Sequence, residues 1–368
     1  MQTIIRAYKT KLDPTSKQRT YFVACAGVSR FVYNWALADR KALFESGGKP
    51  NMYEQKRRFT ALKKEQFPWI DQYPYEISES SFENLDAAYL NFFRRVKEGK
   101  EKAGFPKFKS RHSSSLSFRL RRNIVVDAGK IRLQRIGWVR LAEKDYIPAG
   151  RCKILSATVS ESAGDWFVSV NVEMSIPEQT PTSSTIGVDM GIKSLAVCSD
   201  GKTFDNPKTL DKYSKRLARL QRELSRRVKG SNNRLKTKAK IAKLHRKIAD
   251  TRKHTLHNIS RYVTANTMPK IVVIEDLNVK GMIANRKLSK AIADSAMGEL
   301  RRQIEYKAAW NNIEVKTADR FYPSSKTCSN CGNIKIELSL SERTYTCAGC
   351  GLTIDRDLNA ALNLAALA

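Results

Sequence analysis

The first hundred residues carry apolar side chains at helical spacing. The signal Asp13-Pro14-Thr15-Ser16 is typical of a helix start, and Ser78 or Ser80 is expected to open a later helix. Two stripes follow the 3.6-residue period and are expected to face a core rather than to stack on bases. Their members are Phe22, Cys25, Val28, Val32 and Trp35, then Phe82, Leu85, Ala88, Tyr89 and Phe92. We therefore predict a helical domain over residues 15–103.

From residue 104 to residue 178 the pattern changes to an alternation of apolar and polar side chains. The runs 116–120 and 166–172 alternate, and Asp127-Ala128-Gly129 supplies a turn signal between such runs. This pattern predicts a small antiparallel β-domain, with a barrel as its expected form. The opening segment 4–9 alternates as well, so we assign residues 1–14 to the same domain and treat the helical block as an insertion.

A third pattern begins after a linker rich in Pro, Thr and Ser at residues 178–184. Residues 186–189 and 195–198 are predicted strands, Asp200-Gly201 marks a hairpin, and the β-branched run 271–275 is typical of a strand buried on both faces. Three meandering strands, a helical crossover and a central parallel strand follow the order of ribonuclease-H-like folds. Because the first and fourth strands are neighbours in that order, Asp189 and Glu275 at their ends are expected to approach each other.

A third acid, Asp357, lies near the start of a predicted final helix, where a carboxylate suits the helix dipole. Residues 179–322 and 353–368 are therefore assigned to one domain. Asp355 competes for the same role, whereas Asp276 is expected to face away. Taken singly, Asp189 would fit a turn acid, Glu275 a strand-end cap and Asp357 a helix N-cap. Taken together, the three acids favour one shared site.

The charge of the chain indicates the partner. Its 67 Lys and Arg residues against 36 Asp and Glu residues give a formal net charge of +31 and a pI near 10.0. Such an excess of positive charge favours binding to a polyanion, because the basic side chains displace its counterions. Nucleic acid is therefore the expected partner, and a role of the charge in solubility alone is the weaker explanation. The sequence shows no signal peptide and no membrane-spanning run, so we expect a cytoplasmic protein with no membrane partner.

Carboxylates in so positive a chain are most simply explained as ligands for divalent metal ions that act on a phosphate backbone. Magnesium prefers hard oxygen ligands and retains water, and two such ions about 4 Å apart are a common arrangement for phosphodiester hydrolysis. Asp189, Glu275 and Asp357 are the expected Mg²⁺ ligands.

The cysteines indicate a second metal. Cys328-x-x-Cys331 and Cys347-x-x-Cys350 have the paired spacing of a closed tetrahedral zinc site, and a redox dithiol pair is the alternative. We predict a structural Zn²⁺ ribbon over residues 323–352 that braces the helix of the third carboxylate. The other three cysteines are expected to be small buried hydrophobes, and no disulfide is expected.

Three segments are candidate nucleic-acid contacts. The first is Arg30, Tyr33 and Asn34 on the first helix, and the second is the basic and aromatic strip Phe105, Lys107 and Lys109, for which a lysine-protected edge strand is the alternative. The third is a helical hairpin at 208–262, with a thin apolar seam that includes Leu235. It holds 19 Lys or Arg residues against three acids between 208 and 261, and Arg222 and Arg226 represent its basic face.

Taken together, these motifs resemble the TnpB family, transposon-encoded relatives of the compact type V CRISPR effectors. The resemblance rests on the order of six blocks along nearly the whole chain. They are Arg30-Phe31-Val32-Tyr33-Asn34-Trp35, Gly104-Phe105-Pro106-Lys107-Phe108-Lys109, Gly187-Val188-Asp189-Met190-Gly191, Val273-Ile274-Glu275-Asp276-Leu277-Asn278, the two cysteine pairs, and Asp355-Arg356-Asp357-Leu358-Asn359-Ala360-Ala361.

The resemblance implies a multidomain α+β protein with a RuvC nuclease domain of RNase H-like fold, an inserted zinc ribbon, a wedge-like β-barrel and a helical recognition domain. It also implies that Asp189, Glu275 and Asp357 are the catalytic acids of an RNA-guided DNA endonuclease. A guide RNA would pair with double-stranded target DNA beside a short motif read by the protein, with one protein expected per RNA.

Without the resemblance, composition and spacing indicate only a metal-dependent nuclease or strand-transfer enzyme that acts on nucleic acid. An RNA-independent transposase or resolvase of RNase H-like fold remains an alternative, as does a guide-dependent DNA-binding regulator without nuclease activity. The presence of all three acids argues against the inactive regulator.

Overall fold

The computed structural model describes residues 2–100, 102–111, 115–148, 150, 152–176, 180–339 and 341–368. The chain divides into two compact units, residues 1–176 and 177–368. The first two residues of the predicted linker, 178 and 179, and with them the predicted domain boundary, lie outside the described residues.

The first unit contains an antiparallel sheet in the order β2-β6-β7-β1-β5-β4-β3, counted over the described residues. Its strands are β1 Gln2–Asp13, β2 Ser117–Leu120, β3 Val125–Asp127, β4 Lys130–Leu133, β5 Gly137–Leu141, β6 Lys153–Ser162 and β7 Asp165–Ile176. The opening strand β1 pairs along its length with β7, from Gln2 opposite Ile176 to Leu12 opposite Trp166. The sheet thus uses strands from both sides of the helical segment, and a barrel closure of β2 on β3 is not among the pairings of the described residues.

The helices of this unit are α1 Ser16–Glu45, α2 Met52–Gln66 and α3 Tyr75–Lys97, with a short 3-10 turn at Pro68–Gln72. Helix α1 begins at Ser16, within the predicted start signal, but Pro14 precedes the cap residue Thr15 rather than lying in the first turn. Thr15 and Gln18 form a capping box, which was not identified from the sequence. The start of α3 differs, because it follows Pro74, and Ser78 and Ser80 are buried inside the helix rather than at its cap. The predicted stripes meet in one core with the sheet, where Phe22 contacts Phe118 and Trp166.

The second unit contains a mixed sheet in the order β10-β9-β8-β11-β12 over the described residues. The strands are β8 Thr185–Asp189, β9 Ser194–Cys198, β10 Thr203–Asp205, β11 Ile271–Ile274 and β12 Glu314–Thr317. β8 to β10 form an antiparallel meander, and β11 runs parallel to both β8 and β12. The first and fourth strands of this segment are therefore neighbours, with Ile274 opposite Val188.

A long helical hairpin joins β10 to β11. It consists of α4 Thr209–Arg226 and α5 Asn232–Arg261, and α5 continues into a π turn at Tyr262–Asn266. Leu220, Leu244 and Ile248 form its buried seam, but Leu235 is 56% exposed and does not belong to it. At the base of the hairpin the buried Asp294 accepts hydrogen bonds from the Leu210 amide and Arg252, which fixes the two helices to α7 Ser289–Ser295.

The remaining elements follow β11. They are α6 Val279–Ala284, α7, α8 Met297–Trp310, the ribbon strands β13 Thr344–Thr346 and β14 Thr353–Asp355, and the final helix α9 Arg356–Ala365. β14 pairs with β13 and runs directly into α9. Among the helices of the described residues, none combines the length and the apolar character that crossing a membrane requires.

Candidate active site and metal centre

Asp189 and Glu275 lie at one edge of the mixed sheet. Asp189 is the last residue of β8, and Glu275 follows Ile274, the last residue of β11. Because these strands are parallel neighbours in register, their carboxyl ends point to the same edge, where ligand sites of such sheets form. Both side chains are partly buried.

Helix α9 packs on β8 and carries Asp357 in its first turn. Asp355, the competitor for the third role, is the helix cap: its Oδ1 accepts from the amides of Asp357 and Leu358 at 2.9 and 3.1 Å. Asp355 is exposed, whereas the Asp357 side chain is only 18% exposed. The structure thus gives the two aspartates different surroundings, which the sequence did not separate.

The close approach of α9 to β8 depends on Gly187. A Cβ atom at this position would lie 2.1 Å from the Ala361 carbonyl oxygen and 2.5 Å from the Ala365 amide nitrogen. The glycine therefore lets the helix axis come near the strand. This contact sets the distance between the element that ends in Asp189 and the element that begins with Asp357.

The three carboxylates act on one another electrostatically. Burial raises the pKa of Asp189 well above its ordinary value of 3.8, and the charges of Glu275 and Asp357 raise it further, while Arg356 opposes the shift. Burial also raises the pKa of Glu275, against the hydrogen bond from Ser324, and Asp357 adds to the rise. Mutual repulsion of this kind is what a bound cation relieves.

The donor set fits magnesium in its chemistry. Three carboxylates supply hard oxygen ligands, and the raised pKa values of Asp189 and Glu275 reflect burial first and the neighbouring negative charges second. Among the described residues, the four cysteines are the group of possible metal ligands whose ligand atoms all lie within 4.8 Å of one another, and the three carboxylates do not form such a group. A metal ion held by these carboxylates would therefore take phosphate oxygens or water as further ligands.

Ser324 and Asn363 support Glu275 and were not identified from the sequence. The Ser324 hydroxyl donates to Glu275 Oε1 at 2.7 Å, and the buried Asn363 amide donates to the carbonyls of Ser324 and Thr327 at 2.8 and 2.6 Å. Asn359, one turn earlier on α9, donates to the Thr327 carbonyl and accepts from the Ser329 amide. In the sequence, the only indication of this role is the placement of Asn359 and Asn363 among the alanines and leucines of α9.

The acid beside Glu275 is committed elsewhere. Asp276 forms ion pairs with Arg301, at 3.1 Å, and with Arg320. The hydrogen bonds from Arg320 and Arg301 lower the pKa of Asp276. Asp276 therefore belongs to a separate arginine network, in agreement with the expectation that it faces away.

The four paired cysteines form a metal-ligand cluster. Cys328 and Cys350 have their sulfur atoms 3.6 Å apart, and those of Cys331 and Cys347 are 3.5 Å apart. These distances exceed a disulfide bond of about 2.0 Å and match the roughly 3.8 Å edge of a tetrahedron with Zn–S bonds of about 2.3 Å. A hydrogen bond from Asn330 lowers the pKa of Cys350, whereas hydrogen bonds with the other three cysteines raise the pKa of Cys331, so the shifts act in opposite directions on the thiolate form that binds metal.

The ribbon is joined to the helix of Asp357 in three ways. β14 continues into α9, the Arg356 amide donates to the Arg343 carbonyl at 2.8 Å, and Asn359 and Asn363 hold the ribbon's entry segment. Inside the ribbon, Tyr345 is buried between Cys328 and Cys347. A cluster that holds a metal here would fix the position from which α9 starts.

Tyr33, Asn34 and Lys109, which are predicted from the sequence to contact nucleic acid, make internal contacts in the first unit. Asn34 Nδ2 donates to the Lys109 carbonyl at 2.9 Å, and Asn34 Oδ1 accepts from the Lys109 amide at 2.8 Å. The Lys109 ammonium lies 3.9 Å from the centre of the buried Tyr33 ring, and burial lowers the pKa of Lys109. These contacts dock the 104–109 segment onto α1.

The remaining candidates are more accessible. Lys107 is exposed and Arg30 is partly exposed, and Phe105 is exposed although its ring contacts those of Tyr89 and Phe92. The segment 102–110 forms no strand, so the edge-strand alternative is wrong for these residues. Arg222 and Arg226 are exposed on α4 in the second unit, where they line an open concave surface with Arg219 and Arg227.

Comparison with protein-family models gives three matches along the chain. A model described as "Probable transposase" matches residues 167–286, one described as "Cas12f1-like, TNB domain" matches residues 298–364, and one described as "Helix-turn-helix domain" matches residues 1–49. The last description differs from what these residues form, which is the strand β1 followed by the single long helix α1.

Two curated relatives match over nearly their full length. A "Putative RNA-guided DNA endonuclease" of Streptomyces pristinaespiralis is 36% identical over 100% of this chain and 90% of its own, and the "Putative RNA-guided DNA endonuclease InsQ" of Escherichia coli K12 is 33% identical over 98% and 92%. Among solved structures, a Cas12f1 complex with sgRNA and target DNA matches with a TM-score of 0.59 and 14% identity, over 99% of both chains. This last likeness concerns the fold.

Proposed function

We propose that this chain, which belongs to the TnpB family of RNA-guided DNA endonucleases, cuts DNA by divalent-metal-dependent hydrolysis at Asp189, Glu275 and Asp357. The observation that carries the proposal is the placement of Asp189 and the residue before Glu275 at the ends of neighbouring parallel strands, with Asp357 in the first turn of the helix that packs on β8. Burial raises the pKa of Asp189 and of Glu275, and the charge of Asp357 adds to both rises, a cost that a bound cation would relieve.

The carboxylates of these three residues would hold Mg²⁺, which supplies positive charge that lowers the pKa of water and stabilises charge developing on the phosphate. The chain's own contribution is to fix the ligands. Ser324 orients Glu275 through its hydrogen bond, and Arg356, 3.1 Å from Asp357, restrains that carboxylate. These contacts hold the oxygens in place before substrate arrives, which is where much of the catalytic gain of such sites originates.

In this proposal the four cysteines bind a structural Zn²⁺. The convergence of the four cysteines and the spacing of their sulfur atoms support it. Because all four positions are protein ligands, the site has no open position for substrate. Its contribution is to fix the start of α9, and thereby the position of Asp357.

The partners follow from charge and from the relatives. The curated relatives are named for RNA-guided cleavage of DNA, and the net charge of +31 suits a protein that holds two polyanions. We assign the α4–α5 hairpin, with Arg222 and Arg226, to backbone contact with nucleic acid. Sequence selection is left to base pairing between a guide RNA and one DNA strand, beside a short motif read by the protein.

The test is a cleavage assay with protein purified together with its RNA. Wild-type protein should cut a matching DNA duplex only with Mg²⁺ and with intact RNA, and Asp189→Ala should abolish cleavage while RNA still copurifies. Cutting that survives ribonuclease treatment would instead identify an RNA-independent transposase or resolvase. Retained cutting by Asp189→Ala would refute the assignment of the site.

A further inference from the structure

The loop between β12 and the ribbon is attached to the active-site edge at two points. Ser324 donates to Glu275 at 2.7 Å, and Arg320 forms an ion pair with Asp276, the next residue along the chain. Two consecutive residues after β11 are thus bound by two residues of the loop, and Phe321 lies between those two anchor points.

Local hydrogen bonds fix the backbone at Phe321. Its amide donates to Asp319 Oδ1 at 2.8 Å, and the Tyr322 amide donates to the Asp319 carbonyl at 3.1 Å. The Ser324 amide donates to the Tyr322 carbonyl at 2.8 Å. An aspartate side chain bonded to the backbone two residues later is a turn-forming contact, so the loop has a defined course.

The two aromatic residues of the loop have opposite environments. Tyr322 packs against the cluster of Val273, Ala318 and Leu364, which joins β11 to α9. Phe321 is 86% exposed. The backbone at Phe321 is restrained by hydrogen bonds, by the Arg320 ion pair and by the packing of Tyr322. It therefore holds a large apolar ring at the surface.

Phe321 lies near Glu275 along the loop. It is three positions before Ser324, so the Cα atoms of these two residues are at most about 11 Å apart, and the Ser324 hydroxyl donates to Glu275. A nucleotide next to a phosphate held by the carboxylates would be within reach of the Phe321 ring.

We propose that Phe321 is a base-stacking residue that binds an unpaired nucleobase of the DNA strand entering the active site. The ligand is a nucleobase in single-stranded form, because bases within a duplex already stack on their neighbours, whereas an unpaired base offers its π face. Stacking of this kind tolerates any base and positions the adjacent phosphate without reading sequence. The inference rests on the proposed function, since it assumes that DNA is the substrate of this edge.

Three substitutions at position 321 separate stacking from bulk. Phe321→Ala removes the ring, Phe321→Leu keeps apolar volume without a π face, and Phe321→Trp keeps the π face. Ile336→Ala is the matched control, because Ile336 is 87% exposed on the ribbon and carries no ring. Since both positions are largely exposed, all four variants should fold, which thermal unfolding and zinc content would verify.

The binding measurement uses Asp189→Ala protein with its copurified RNA, so that no cleavage occurs. Single-stranded oligonucleotides carrying the fluorescent base 2-aminopurine, or an abasic site, at successive positions are titrated into this parent and into the double variants. Adding Phe321→Ala or Phe321→Leu should weaken binding about 5- to 150-fold and remove the quenching of 2-aminopurine at one position, while Phe321→Trp and Ile336→Ala should stay within about twofold of the parent. An abasic site at that position should weaken the parent but not Phe321→Ala.

The inference is overturned if Phe321→Ala binds as the parent does, if Phe321→Trp is as weak as Phe321→Ala, or if the abasic site weakens both proteins equally. Failure of the proposed function looks different. In that case wild-type protein cuts no DNA under guidance by RNA, while the fluorescence titration still reports whether the ring stacks on a base.

Discussion

Replacement of Gly187 by alanine tests whether the contact between β8 and α9 sets the geometry of the acids. The new Cβ would lie 2.1 Å from the Ala361 oxygen, where an ordinary carbon–oxygen contact is about 3.3 Å or more, so the helix or the strand must move by about 1 Å. Overpacking of this size costs about 1–3 kcal/mol, and a misplacement of about 1 Å in an active site lowers rates by about 10²-fold.

The assay compares thermal unfolding and guided cleavage in Gly187→Ala and in Gly298→Ala. A Cβ atom added to Gly298, in α8, would meet no atom within 4 Å outside its own helix backbone, so alanine there should leave cleavage unchanged and stabilise the helix by about 0.5–1 kcal/mol. Gly187→Ala should lower the unfolding temperature by roughly 2–12 °C, because each kcal/mol moves it by about 2–4 °C in a unit of this size. Wild-type stability together with a wild-type cleavage rate in Gly187→Ala would refute the reasoning.

Three further measurements address the charges and the metals. Because the pKa of Asp189 is raised well above 3.8, the folded chain binds that proton more tightly than the unfolded chain, and the metal-free protein should lose stability as the pH rises from about 4 through the raised pKa. In urea unfolding with a chelator, Asp189→Asn should reduce this pH dependence; equal slopes would contradict the shift. Cys350→Ser should lower the zinc content below about one ion per chain and the unfolding temperature with it, and an unchanged metal content would exclude the ribbon site. Arg222→Gln combined with Arg226→Gln should reduce the steepness of log K against log salt by about 1.4–1.8 in DNA binding, whereas an unchanged slope would exclude both residues from phosphate contact.

The sheet of the second unit follows from the sequence because its signals are local. The run 271–274 is β-branched throughout, which is typical of a strand buried on both faces, and the structure has it between two parallel neighbours. Once β8 and β11 are neighbours, Asp189 and Glu275 share an edge as a matter of topology. The cysteine spacing is also a local signal, and the four sulfur atoms meet as that spacing predicts.

Contacts between residues far apart in the sequence could not be predicted from local patterns. Asn34 and Lys109 are 75 residues apart, and nothing near Asn34 indicates that its amide pairs with the backbone of a distant loop. The polar character of Tyr33 and Asn34 is equally compatible with an internal contact and with a nucleic-acid contact. Their assignment to nucleic acid stays a prediction, and internal contacts now compete with it.

The ribbon explains how such a site keeps its geometry. Between β12 and β13 the chain runs from 318 to 343 with turns and one isolated bridge among its described residues, a length that without other constraints is unusual inside a compact domain. Without constraints, the conformational freedom of this segment would loosen Ser324 near its start and α9 beyond its end. Ser324 donates to Glu275, and α9 carries Asp357. Closing the four cysteines around one ion removes that freedom, while Asn363 joins the two ends directly. On the proposed assignment, a metal bound by the cysteines would thus control the positions of Glu275 and Asp357 from outside the active site, and its loss should slow cleavage under conditions where the rest of the second unit is still folded.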